Sequence, residues 1–417
     1  MRRSLLLLSA LLVLGWAAPA RAQLFNYFNV VQGQRAFGLG GAYCALSADP
    51  SGWYYNPAGP IEADYDSFSL SGRALESKLV EISDYSGGER LRLGSLNFYP
   101  TGGAAIRRLG PGVIGFSTLV ASNENIDADL TLSNASWQGE PAEVNLDLRQ
   151  AQRTYLLGPG YSIRVAEHVS LGLSLFYFYD RKEANSATYV DYDAGGYDDR
   201  VFQLKTTNHG LVPHLGAQFR PFEWWRIGIC LRQGLPLYRS GFTKVVTHTD
   251  HLQRSGRSKI VNSLKAETAF PFTVVLGTAM MPRPWITLSL DLSYFAAQNL
   301  LTLATGTQQP GNAALLQVIN YNAGMEFLIR ERYTVAAGAY TNRSAAPDPY
   351  ELADTGILKV HWIGLTMQGG YRTNRTYTSL GLLLNLGNGD TVNPAGDKVA
   401  VNGISTSIVL GTSYWFD

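Results

Sequence analysis

His248 and His251, in the stretch HTDH, sit three residues apart, a spacing at which two imidazoles can share a metal ion. The surroundings are polar and nothing in the pattern fixes the pair on a helix or strand. It reads as a solvated pair in a loop, and no metal is expected. Gly38, Gly40 and Gly41 could cradle a phosphate. The third glycine of a dinucleotide fingerprint is missing, however, and no Lys-Ser or Lys-Thr follows, which leaves tight packing as their use. Hydrolytic chemistry would need a nucleophile and a base in hydrogen-bond reach. No recognisable motif ties a serine or aspartate to His168, His209 or His214. His214 reads as a polar group on an inner wall, beside Gln218 and Arg220. Neither catalysis nor a cofactor is expected.

The elements that position these residues alternate. In SLGLSLFYFYD (170–180), Leu171, Leu173, Leu175, Tyr177 and Tyr179 share one face, and Ser170, Gly172, Ser174 and Asp180 share the other. WITLSLDLSYF (285–295), YTSLGLLLNL (377–386) and RIGICLR (226–232) repeat the pattern. These segments run to about ten residues, long enough to cross a hydrocarbon layer at a tilt, and aromatics gather at their ends. About fourteen such strands follow residue 62. Their connections alternate between short turns (165–167, 221–223, 282–284, 330–332, 373–375) and long polar stretches (122–150, 183–200, 236–268, 297–318, 343–356, 388–400). That rhythm predicts an all-β fold: a transmembrane, antiparallel, up-and-down β-barrel over residues 63–417.

Composition agrees. Charged residues make up only 16% of the chain, against 23 tyrosines and 43 glycines. Arg2 and Arg3, an apolar run over 5–18 and Ala20-Arg21-Ala22 form a signal peptide over residues 1–22, so export to the outer membrane is expected. Without Arg2, Arg3 and Arg21, thirty-one basic residues face thirty-three acidic ones. So even a balance argues against nucleic acid as a partner. Cys44 and Cys230 are too few for a disulfide framework; one bridge or two buried thiols would both fit.

Between leader and first strand lies a turn-rich segment, residues 23–62. A barrel of about fourteen strands is too wide for its own side chains to fill. The segment is therefore expected to plug the lumen, with Gly38, Gly40 and Gly41 packing backbone to wall and Trp53, Tyr54 and Tyr55 supplying bulk. Phe176 and Phe178 point to the lumen side, where they suit either a ligand cavity or, preferentially, contact with the plug. Asp180, Arg226, Arg232, Asp291 and Glu326 also lean inward, where they should pair with one another, bind the plug or meet water. Arg226 or Arg232 could serve a charged ligand head group.

GQRAFGLGGAYCALSADPSGWYYNPAG (33–59) resembles the N-terminal hatch of the FadL family of outer-membrane transporters. Residues 269–295, 320–350 and the last two strands resemble that family as well. The resemblance implies a monomeric fourteen-stranded barrel in the outer membrane, closed by a hatch whose motif is Asn56, Pro57 and Ala58. It implies passive inward transport of long-chain fatty acids or other hydrophobic compounds, with ligand released sideways through a gap in the wall. The partners would be a fatty-acid-like small molecule and the surrounding lipid. The third and fourth outer loops, where the family often captures ligand, are acidic and basic here and lack an apolar stripe. A barrel of the same shape serving as an interaction or secretion-associated platform is the alternative.

Overall fold

The computed structural model describes residues 23–86, 89–137, 140–251, 254–264, 270–303, 311–349, 357–393 and 396–416. The signal peptide expected over residues 1–22 lies outside them. Fourteen antiparallel strands close into one barrel. They are β1 (Ser67–Ser86), β2 (Glu89–Leu109), β3 (Gly112–Trp137), β4 (Glu140–Ala166), β5 (Val169–Tyr192) and β6 (Tyr197–Phe222). β7 (Trp225–Arg232 and Leu235–His251), β8 (Arg254–Leu264 and Thr273–Arg283), β9 (Ile286–Phe295 and Gln298–Leu303) and β10 (Gly311–Leu315 and Val318–Ile329) are each interrupted once. β11 (Tyr333–Asn342), β12 (Ile357–Arg372), β13 (Thr376–Val392) and β14 (Lys398–Trp415) complete the wall. β14 pairs back onto β1, from Trp415 opposite Ser67 to Val401 opposite Ile82. Every strand thus has two neighbours somewhere along its length, as closure requires.

The alternation is inverted relative to a soluble barrel. Leu171, Leu173 and Leu175 of β5 are exposed, while Ser170, Ser174 and Asp180 are buried. The same holds on β13, where Leu380 and Leu382 face out and Ser379 faces in. An apolar exterior over a polar interior is stable only with hydrocarbon outside.

Most of 122–150 and 183–200, and much of the described parts of 236–268, 297–318 and 388–400, is strand and not loop, which corrects the sequence reading; 343–349 holds no extended strand. β3 and β4 pair without a long break from Gly112 opposite Ile163 to Trp137 opposite Glu140. β5 and β6 pair from Val169–Phe219 to Asp191–Tyr197. Apolar residues alternate there as well, but on the inward face, where Ile126, Ala128, Val144, Leu146, Leu148 and Val190 are buried; the polar and charged residues between them masked that period of two. The HTDH pair is corrected with them. His248 and His251 lie on β7, and His251 stacks on Tyr192 with ring centroids 3.8 Å apart. His251 also bonds the Gly195 carbonyl at 2.7 Å and the Glu140 carboxylate at 2.6 Å.

Residues 25–63 hold two single-turn helices, α1 (Gln34–Gly38) and α2 (Gly52–Tyr55), and a 3-10 turn at Pro60–Glu62. No helix among the described residues is long and apolar enough to cross a membrane. The segment packs against the inward side of the wall, and Phe37, Leu39, Tyr43 and Trp53 are almost wholly enclosed. Close approach is possible because glycines line that side. A Cβ at Gly115 or Gly160 would fall on the Trp53 indole, one at Gly172 or Gly216 on the Pro57 backbone or ring, and one at Gly338 on the Gly40 backbone.

Candidate functional site

Inward polar side chains hold the N-terminal segment in place. The Asp291 carboxylate of β9 accepts the backbone N–H groups of Tyr43 and Cys44, both at 2.8 Å. Gln218 of β6 donates to the Cys44 carbonyl at 3.0 Å. Glu326 of β10 pairs with Arg35 at 2.7 Å. His214 lies 3.1 Å from the Tyr54 carbonyl, and Arg232 donates to that of Tyr55 at 3.0 Å. The inward-leaning charges Asp291, Glu326 and Arg232 thus meet the segment directly. Asp180 instead accepts from Thr154 of the wall at 2.7 Å.

Asn56 closes a local turn by accepting the Ala58 N–H at 3.1 Å, and its amide donates to the carbonyls of Cys44 (2.9 Å) and Ala217 (3.0 Å). The Ala58 carbonyl accepts from Ser162 at 3.1 Å. Pro57, which has no N–H, sits where its carbonyl meets Gly172. Gly40 and Gly41 have φ of +61° and +79°, and the Gly40 carbonyl accepts from Asn322 at 2.7 Å. Gly38 ends α1 against Gln368 and Ala336. The Trp53 indole donates to the Ala105 carbonyl at 3.0 Å. Cys44 and Cys230 are free, buried and in one cluster with Val275. Burial first, then the Asp291 carboxylate, pushes the Cys44 thiol well above its ordinary range.

Above this packing lies a cavity of about 100 Å³. Its apolar side is Phe25, Tyr27, Tyr54, Phe270 and Phe295, with Tyr27 stacked on Phe295 at 4.8 Å. Gln152, Thr154, Asp180, Lys182, His214 and Arg232 form its polar rim. It is smaller than the apolar cavity of about 150 Å³ that accepts benzene, so as it stands it suits a few methylenes, and an aromatic ring requires its lining to yield. Arg232 stands over the Tyr54 ring at 4.7 Å. Phe176 and Phe178 point inward but sit behind the cavity lining, Phe176 against His214 (4.9 Å) and Phe178 against Phe270 (5.0 Å). Arg226 is not brought to this cavity; it lines a separate cleft with Glu62, Arg108, Arg164 and Arg220.

The wall beside the cavity is incomplete. β2 and β3 pair from Leu109–Gly112 up to Gly102–Leu119 and again at Gly94–Asp127, with no pairing between residues 95–101 and 120–126. Leu96 (72%) and Phe98 (78%) are the most exposed large apolar side chains among the described residues, and both flank this break. Behind it lies a space of about 40 Å³ lined by Asn97, Asn123, Glu124, Asn125 and Lys78. It adjoins the aromatic cavity at Asn29, which donates to Ser122 at 3.4 Å. The Asn125 amide donates to Asn97 across the break at 2.7 Å. The sequence reading did not locate this break. Pro100 was the available signal, since a proline cannot donate to a ladder in mid-strand.

The same fold recurs in solved structures. The fold is that of a FadL homologue. A FadL homologue of Pseudomonas aeruginosa matches with a TM-score of 0.66 at 12% identity, over 96% of this chain and 100% of its own. The toluene transporter TbuX of Ralstonia pickettii matches at 0.64 and 13% identity, over 94% and 99%. The toluene transporter TodX of Pseudomonas putida matches at 0.57 and 13% identity, over 93% and 98%. No protein-family model and no curated protein matches the sequence. The FadL-type fold therefore rests on shape along nearly the whole chain.

Proposed function

We propose that the chain is an outer-membrane channel for passive uptake of hydrophobic compounds, acting as a monomer. Residues 1–22 are its signal peptide, residues 23–62 its hatch and residues 63–417 its barrel. The observation that carries this reading is an aromatic cavity above the N-terminal segment, adjoining a break in the wall. A greasy solute gains little in a water-filled pore, whereas an aromatic pocket removes its surface from water. From there it reaches the bilayer between β2 and β3 without crossing the segment below. Trp53 and the glycines of the segment seat the hatch, and Asn56, Pro57 and Ala58 form the turn that anchors it. The relatives described as toluene transporters make small aromatic compounds one cargo class; long-chain fatty acids are the other, with Arg232 at the rim for the carboxylate. Uptake of labelled toluene and of a labelled long-chain fatty acid, compared in a deletion strain with and without the gene, tests both. Equal rates with and without the protein for both compounds would reject transport.

One observation favours the alternative of an interaction platform. Among the described residues the Arg254–Leu264 part of β8 pairs only with β7, and its other edge carries no described strand. An open edge can accept an extended segment of another protein. Copurification of an exported partner, lost when the edge is blocked by Lys259→Pro, would support that role.

A further inference from the structure

Opposite the aromatic cavity, where the N-terminal segment joins the wall, four arginines converge. Arg108 lies one residue before the end of β2, Arg164 two before the end of β4, Arg220 two before the end of β6, and Arg226 one after the start of β7. With Glu62 and Asp64 they line a cleft of about 410 Å³. Four guanidinium groups against two carboxylates leave an excess of two positive charges. The Glu62 carboxylate is already shared: one oxygen pairs with Arg164 and the other with Arg220 at 3.4 Å. Arg108 donates to the Ala63 carbonyl. Among the described residues Arg226 has no ion-pair partner, and its Nε is buried without a hydrogen-bond partner.

Like charges gathered on four separate strands repel, and a barrel gains nothing from that repulsion unless something anionic relieves it. A guanidinium presents planar, forked donors that match the oxygens of a carboxylate or phosphate. We propose that this cleft is a binding site for a small multivalent oxyanion, held by Arg226 and Arg108 and competing with Glu62 for Arg164 and Arg220. Glu62 closes the 3-10 turn that ends the N-terminal segment. An anion that takes its partners therefore loosens that end of the segment. The inference does not depend on what the lumen carries.

Isothermal titration of the purified full-length protein in low-salt detergent, with inorganic phosphate and separately with citrate, tests it. Saturable binding is expected. Arg226→Gln should weaken it by roughly tenfold or more, the effect of removing one charged hydrogen-bond donor, while Arg226→Lys should weaken it less. Glu62→Gln should strengthen it, because the competing carboxylate is gone; a site for any passing anion would show the same gain for chloride. Heat-modifiable gel mobility confirms that each variant is folded. Absence of saturable heat with both probes, equal affinity of wild type and Arg226→Gln, or no gain in Glu62→Gln would each overturn the proposal. Phosphate binding without citrate binding, or the reverse, identifies the oxyanion geometry and supports the site.

Discussion

Asp291 gives one carboxylate oxygen to two backbone N–H groups, those of Tyr43 and Cys44, and neither has water to turn to. Few single side chains hold so much of the N-terminal segment. Asp291→Ala would strand both donors, and a buried unpaired donor costs about 1–3 kcal/mol. Thermal unfolding should show the variant destabilised by roughly 2–4 kcal/mol, a two-donor loss softened by local relaxation. Faster amide exchange over residues 40–48 should accompany it. A variant as stable as wild type would mean that the segment is held elsewhere. That Asp291 leans inward was legible from the alternation of WITLSLDLSYF. Its partners were not, because backbone N–H groups leave no mark on a residue string.

The strands show where reading by period works and where it fails. Across the membrane every second residue is apolar, and β5, β9 and β13 lie where the pattern puts them. Beyond the membrane the phase reverses: Ile126 and Ala128 of β3 and Val144, Leu146 and Leu148 of β4 point inward and are buried while polar residues face out, and the many charged and polar residues among them made the ends of β3 to β8 look like loops. His251 shows that those ends are organised. Both of its acceptors, the Gly195 carbonyl and the Glu140 carboxylate, can be satisfied at once only by an imidazolium. Desolvation lowers its pKa, but the Glu140 and Gly195 bonds outweigh this and raise it above the ordinary value. A raised folded pKa stabilises fully below the ordinary imidazole value of about 6.5, and the contribution is lost as pH rises through the folded pKa. Amide protection around 189–199, taken relative to His251→Gln, should therefore fall as pH rises from acidic to mildly alkaline. A pH-independent ratio would show that the bond is incidental.

Taken whole, the molecule is a wall and an insert fitted to one another. Strand number, short turns on one side and the odd position of residues 33–59 could all be read from the chain. The glycine side of the wall could not, since glycines in strands carry no label saying what approaches them. Gly160→Val should push against the Trp53 indole and, at a typical overpacking cost of about 1–3 kcal/mol, unseat the segment. In planar bilayers the wild type should then show little steady conductance, Gly160→Val more, and Gly160→Val with Trp53→Ala an intermediate level. Equal conductance in all three would refute the fit.

The broken ladder between β2 and β3 has one more consequence. Closing a sheet on itself normally leaves no free rim, yet along this seam residues 95–101 and 120–126 form no ladder with one another, and side chains such as the Asn125 amide on Asn97 span the gap instead. Between most other neighbours in the membrane-facing wall, yielding sideways means tearing a longer run of rungs. Here the cylinder is already slit part-way up, so it will part along this line at a force that leaves the remainder of its circumference zipped.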